Sequence, residues 1–152
     1  MIKVVPFEME HLEQLLPKLR EHDAMVVRLH GGFGSMHTLF GKLEKCAIIN
    51  SFMYEDEVVA IWVFLQKWPG VAQCSAWTGT AVERMPKEFW KACVRGLESA
   101  QEAIGLHRLE AHVRADHPHG AKWLQKLGFE VEGIMKQHEV DKVDAYMLGK
   151  VW

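Results

Sequence analysis

Residues 117–133 read His117-Pro118-His119-Gly120-Ala121-Lys122-Trp123-Leu124-Gln125-Lys126-Leu127-Gly128-Phe129-Glu130-Val131-Glu132-Gly133. Pro118 suits the first position of a helix, where its missing N–H is one that the helix leaves unpaired anyway. The helix it opens runs to Leu127, and Gly128 can take the left-handed conformation that closes it. Phe129 then brings the chain back as a strand with its ring anchored in the core. A helix that stops on glycine and returns at once as a strand belongs to a fold that lays helices over a sheet.

Upstream, His107 to Arg114 alternates Leu109, Ala111 and Val113 with Arg108, Glu110 and His112, which is a strand with one apolar face. Before it comes the best helix of the chain, with Pro86 near its start and an apolar stripe of Phe89, Trp90, Cys93, Leu97, Ala100 and Ile104 up to Gly105. Val71 to Val82 reads as a strand with Gly79 at a bulge. Ala47–Tyr54 and Val58–Gln66 flank the charged turn Glu55-Asp56-Glu57 as a hairpin, and Trp68-Pro69-Gly70 makes the next turn. At the N-terminal end, a strand at Ile2–Val5 gives way to a helix from Glu8 to Arg20, which Pro17 should kink or end. Asp23–Leu29 suits another short helix stopped by Gly31-Gly32, and Ser35 suits the cap of a third. Phe129 to Trp152 holds two strands joined by a turn near Asp141-Lys142. The expected architecture is a single mixed α/β domain over residues 1–152, with one central sheet and helices on both faces.

Composition sets the outer limits. The 152 residues match one domain, and 49% hydrophobic with 25% charged residues is ordinary for a folded soluble body. Eighteen Lys and Arg against 20 Asp and Glu leave a net charge of −2, so no global positive field exists to hold a nucleic acid or an anionic membrane. Cys46, Cys74 and Cys93 are odd in number and form no CxxC pair, which fits a reduced, cytoplasmic setting. The first residues break into charge too early for a signal peptide or a membrane span.

The order of elements, together with residues 117–133, resembles the GCN5-related N-acetyltransferase (GNAT) superfamily. That family carries Asn, a small residue three positions on, an apolar residue three after that, and then K-L-G-F-x-x-E-G. Here Lys126-Leu127-Gly128-Phe129-Glu130-Val131-Glu132-Gly133 supplies the end of that pattern, and Asp144-Ala145-Tyr146-Met147-Leu148 is similar to the last strand of ribosomal-protein-acetylating relatives. The resemblance implies a mostly antiparallel sheet of about seven strands. It also implies acetyl transfer from acetyl-CoA to an amine on a small molecule or a protein. The coenzyme would lie between the fourth and fifth strands, near Gly79, Thr80 and Val82, with Arg84 and Lys87 toward its phosphates and His117 and Lys122 on the following helix.

The chain also departs from the family. The R/Q-x-x-G-x-G/A loop, whose bare amides bind the coenzyme's pyrophosphate, is here Val82-Glu83-Arg84-Met85-Pro86-Lys87-Glu88-Phe89, with neither glycine. His117 stands for the usual Asn, Gly120 for Ser or Ala, and Leu124 for the tyrosine that many members use to reprotonate the leaving thiolate. A degenerate loop of this kind also resembles GNAT-like virion or assembly proteins of short-tailed phages. That likeness implies a protein that keeps the fold for protein–protein contact, alone or as a homo-oligomer.

Acyl transfer to an amine needs a base within hydrogen-bond or one-water reach of the nitrogen. The fifth strand offers Glu110 and His112 on one face and Asp116 at its end; each also has a structural use, such as an ion pair of Glu110 with Arg108 or Arg114. His112, His117 and His119 lack the spacing of a metal site, because Pro118 interrupts them. Of six tryptophans, Trp62 and Trp90 suit the core, whereas Trp68 and Trp152 suit a surface.

Overall fold

A computed structural model describes residues 1–152. Seven strands, β1 Lys3–Pro6, β2 Ile48–Tyr54, β3 Glu57–Trp68, β4 Val71–Thr78, β5 Arg108–Arg114, β6 Glu130–Met135 and β7 Ala145–Val151, form one sheet in the order β1-β2-β3-β4-β5-β7-β6. Every neighbouring pair is antiparallel except β4 and β5. Five helices cover it: α1 Met9–Leu15, α2 Glu21–Leu29, α3 Phe33–Leu43, α4 Pro86–Ile104 and α5 Pro118–Lys126.

Alternation along the strands makes two unlike faces. Ala60, Trp62 and Phe64 of β3, Ala72 and Cys74 of β4, and Leu109 and Ala111 of β5 face α4 in one cluster with Phe52, Phe89, Leu97 and Leu148. Their one-residue neighbours Ile61 and Val63 face α1 to α3, packed with Leu12, Leu15, Val27, Met36 and Phe40. α4 lies on its face as one long rod, and Gly96 lets it approach until a β-carbon there would touch Phe52 at 3.4 Å. Gly105 ends α4 in the left-handed region, and Gly128 at φ 95° closes α5 as its sequence demands. Lys150 Nζ donates to the Leu127 carbonyl at 3.0 Å, so β7 finishes the cap of α5.

Four local expectations are corrected. β4 stops at Thr78, its register with β3 unbroken from Ala72 to Thr78, so there is no bulge at Gly79; the irregularity lies at Gln66–Trp68. Gly79 is extended, at φ −88°, and is needed for space: a β-carbon there would lie 3.0 Å from Leu15 Cδ1 and 3.3 Å from two carbonyl oxygens. The chain then coils into a 3-10 turn, Thr80–Arg84, where strand was expected. Gly32, at φ 84°, and not Ser35, precedes the first residue of α3. Trp90 is 40% exposed, because the stripe of α4 turns Phe89 and Cys93 inward and leaves Trp90 on the flank. Pro17 acts as expected, since α1 ends at Leu15 and passes into a 3-10 turn over Leu16–Lys18.

Candidate active site

β4 and β5 pair only from Val71–Arg108 to Gln73–Glu110. Beyond this short seam each strand follows its antiparallel partner, β4 along β3 and β5 along β7, and the right-handed twist of the two halves draws them apart. The notch between Cys74–Thr78 and Ala111–Arg114 is therefore a product of topology. Side chains at its lips reach groups that no ladder occupies.

On the face toward α1 to α3, β5 presents Arg108, Glu110, His112 and Arg114, and the three candidate bases separate sharply. Glu110 is buried and accepts from Lys67 Nζ at 2.6 Å and Arg108 Nε at 3.1 Å. The Lys67 contact, ahead of burial, holds its carboxyl below the usual range. Asp116 accepts from Arg114 Nε and Nη2, both at 3.0 Å, while Asp141 accepts from the same buried guanidinium at 2.9 Å. That pairing lowers Asp116, so both carboxylates are spent on structure. His112 differs: it is half-buried, burial keeps it below its ordinary pKa and hence neutral at pH 7, and its Nε2 is buried with no hydrogen-bond partner. The Gln73 amide nitrogen lies 3.5 Å from its Nδ1, and His138 meets its ring edge-on at 5.1 Å.

Gln73 also opens on a cavity of about 440 Å³ between the sheet and the α2–α3 pair. Val63, Leu65, Gln73, Ser75 and Trp77 are its strand residues, and Val27, Met36 and Leu39 are among those from the helices. No acidic or basic side chain other than His30 lines it. Sequence reasoning missed it, because two adjoining short helices and a strand face become a hollow only once they are packed.

The other lip of the notch is engaged. Asp23 of α2 accepts from the Thr78 amide at 2.8 Å and the Thr78 hydroxyl at 2.6 Å, while the Arg20 amide donates to the Thr78 carbonyl at 2.9 Å. His22 stacks on His117 with ring centroids 3.6 Å apart, and burial keeps both below their ordinary pKa. This contact spans 95 residues of sequence and no local pattern signals it. Gly79 and Val82 are buried, Thr80, Arg84, Lys87 and Lys122 are exposed, and His117 is intermediate. Cys74, on the seam, has its thiol pushed up to about 12 by burial, which disqualifies it as a nucleophile at neutral pH.

A diphosphate does not fit the start of α4. Pro86 removes an amide from the first turn, Glu88 adds a negative charge to it, Arg84 lies 3.9 Å from Glu57, and Arg20 pairs with Glu83 at 3.2 Å. The strand end beside it offers no free main-chain group at Thr78. Of the residues assigned to a coenzyme from sequence, His117 lies at the notch, stacked on α2, and Arg84 and Lys87 lie near the α4 terminus without forming a cradle.

No protein-family model matches the chain, and no curated protein matches it. Solved structures do match in fold. A GNAT-family acetyltransferase from Bacillus anthracis superposes with a TM-score of 0.76 at 16% identity, covering 99% of this chain and 94% of its own. A variant of the spermidine N-acetyltransferase SpeG from Vibrio cholerae gives 0.78 at 12% identity, over 99% and 93%. The ribosomal-protein-alanine N-acetyltransferase from Brucella melitensis gives 0.72 at 15% identity, over 99% of each chain.

Proposed function

We propose that this chain, which has the GNAT fold, is an amine N-acyltransferase with His112 as its general base. The single observation that carries the reading is a neutral imidazole with a buried, unpartnered Nε2 at the notch between β4 and β5. A buried polar atom left without a partner is costly, and in native proteins such an atom commonly has a functional reason. When an amine becomes an amide it loses a proton, and His112 Nε2 is the atom that takes it. The Gln73 amide nitrogen lies at Nδ1; rotated by half a turn, the amide puts its oxygen there, accepts a hydrogen bond from Nδ1–H and leaves Nε2 as a bare lone pair. Gln73 is thus a positioning residue: Gln73→Glu should keep much of the rate, Gln73→Leu should lose it, and only His112→Ala should remove the acid limb of the pH profile. The fold implies acetyl-CoA as donor, and amines are the acceptors named for the matching structures. The misfit at α4 means that no step here relies on the coenzyme's phosphates.

A second reading is a non-catalytic binding protein of this fold, such as a virion or assembly component. The engaged Thr78 backbone and the Pro-and-Glu helix start favour it. Thermal unfolding with millimolar acetyl-CoA separates the two. Ligand bound to the folded state raises the melting temperature by an amount set by RT ln(1 + [L]/Kd). No shift, in the native chain and in Asp23→Ala alike, overturns the acyltransferase reading with this donor.

A further inference from the structure

We infer that the acceptor is an amine with an uncharged, apolar body, held in the cavity between β3–β4 and α2–α3 with its nitrogen toward Gln73 and His112. This rests on the acyltransferase reading and narrows it to a substrate class. The cavity, at about 440 Å³, falls in the range of small-molecule sites, and eight of its 12 lining residues are hydrophobic. Leu39 and Leu65, 40% and 38% exposed, stand at its open side, so an apolar body has a way in. Polar groups are few: Ser35 and His30 on the helical side, and Gln73 and Ser75 on β4. Gln73 belongs to both sites, since it lines the cavity and its amide lies 3.5 Å from His112 Nδ1. An occupant's nitrogen at Gln73 therefore lies one side chain away from the His112 ring, which does not itself line the cavity.

The chemistry that the cavity lacks sets the specificity. No carboxylate lines it, and His30 is its one titratable side chain. Glu110, the nearest acid on β5, is committed to Lys67 and Arg108, and Lys67 adds positive charge on that side. A second ammonium, as in a polyamine, would be buried without a counter-charge, which opposes its binding. The single nitrogen of a monoamine can enter uncharged, so its apparent affinity should rise about tenfold per pH unit between pH 7 and 9. Across that range His112, which burial keeps below its ordinary pKa, stays neutral, as do Gln73 and Ser75.

The test is calorimetric titration of the full chain with octylamine, phenethylamine and spermidine at pH 7, 8 and 9, beside acetyl transfer from acetyl-CoA to each. Binding of the two apolar amines, tightening with pH and at least tenfold stronger than spermidine, is the expected result. Ser75 is exposed on the strand side, so Ser75→Trp can fill the hollow without disturbing the core; it should weaken octylamine at least tenfold with the melting temperature unchanged. Leu39→Gln, also at an exposed position, should weaken it severalfold if the larger change fails to fold. Spermidine bound or acetylated as well as octylamine overturns the substrate class and leaves the acyltransferase reading standing. Octylamine bound as described, but acetylated neither by the native chain nor by Asp23→Ala, overturns the acyltransferase reading and leaves the cavity's selectivity standing. No binding of either apolar amine, or binding untouched by Ser75→Trp and Leu39→Gln, overturns the inference itself.

Discussion

The two faces of the sheet solve the same covering problem differently. One receives α4, 19 residues in a single rod with the short α5 beside it, and packs into a continuous cluster of 21 buried residues. The other receives helices of seven, nine and 11 residues, with Gly31 and Gly32 at the joint between the last two, and its cluster holds only 11. A long rod fills the groove along twisted strands; short helices meeting at an angle leave gaps. The gap is the cavity beside Gln73, and the unpartnered imidazole stands on the same face. Dense packing and open space are thus segregated, the first toward α4 and the second toward α2 and α3.

Core truncation should break this contrast most forcefully if it is wrong. Phe52, fully buried against Trp62 and Phe89, should cost about 3–5 kcal/mol as Phe52→Ala. Met36→Ala, which enlarges a hollow already present, should fall near the low end of its class at about 2 kcal/mol. Urea denaturation measures both, and equal losses would erase the distinction. Next in size is Arg114→Met, which removes a buried guanidinium from Asp116 and Asp141; about 1.5–3 kcal/mol should be lost in the same assay.

Acid should act on the open face first. His22, His112 and His117 have folded pKa values depressed by burial, so the unfolded chain binds protons that the folded chain refuses. Stability should therefore decline as pH falls through the ordinary histidine value of 6.5 toward the depressed ones. Glu110 and Asp116, also depressed, contribute stability present above their unfolded values and lost only at more acid pH, as each falls through its folded value. Melting temperature against pH should show two successive declines, and replacing His22 by Phe should diminish the first. The smallest effect concerns glycine. Gly41 sits inside α3 with open space around it, so Gly41→Ala should stabilise by about 0.5–1 kcal/mol, whereas Gly96→Ala on α4 meets Phe52 and should gain less.

The sequence discloses the fold through residues that act locally. Gly105 and Gly128 stop helices where they stand, and alternation along β5 sorts Leu109, Ala111 and Val113 from Glu110 and His112 without knowledge of any partner. It misreads Gly79 because a glycine in a strand looks alike whether it bends the chain or makes room for Leu15 and a carbonyl. The candidate base could not be chosen for a related reason. Glu110 is disabled by Lys67, 43 residues away, and only the bulged end of β3 brings the two together. Asp23 and Thr78 lie 55 residues apart, joined because α2 crosses the end of β4, and nothing local to either announces it.

The brevity of the seam between β4 and β5 also governs how the chain can be assembled. Strands β1 to β4 lie entirely within residues 3–78 and β5 to β7 within residues 108–151, each set wholly antiparallel, with α4 as the only helix between them. During synthesis every strand of the first half-sheet is made before any strand of the second, which allows the two to fold separately and dock last. A chain severed at Gly105, beyond the end of α4, leaves both half-sheets intact in sequence. Co-expressed as separate polypeptides, they should recover the native circular dichroism spectrum, whereas a cut within β3 should not.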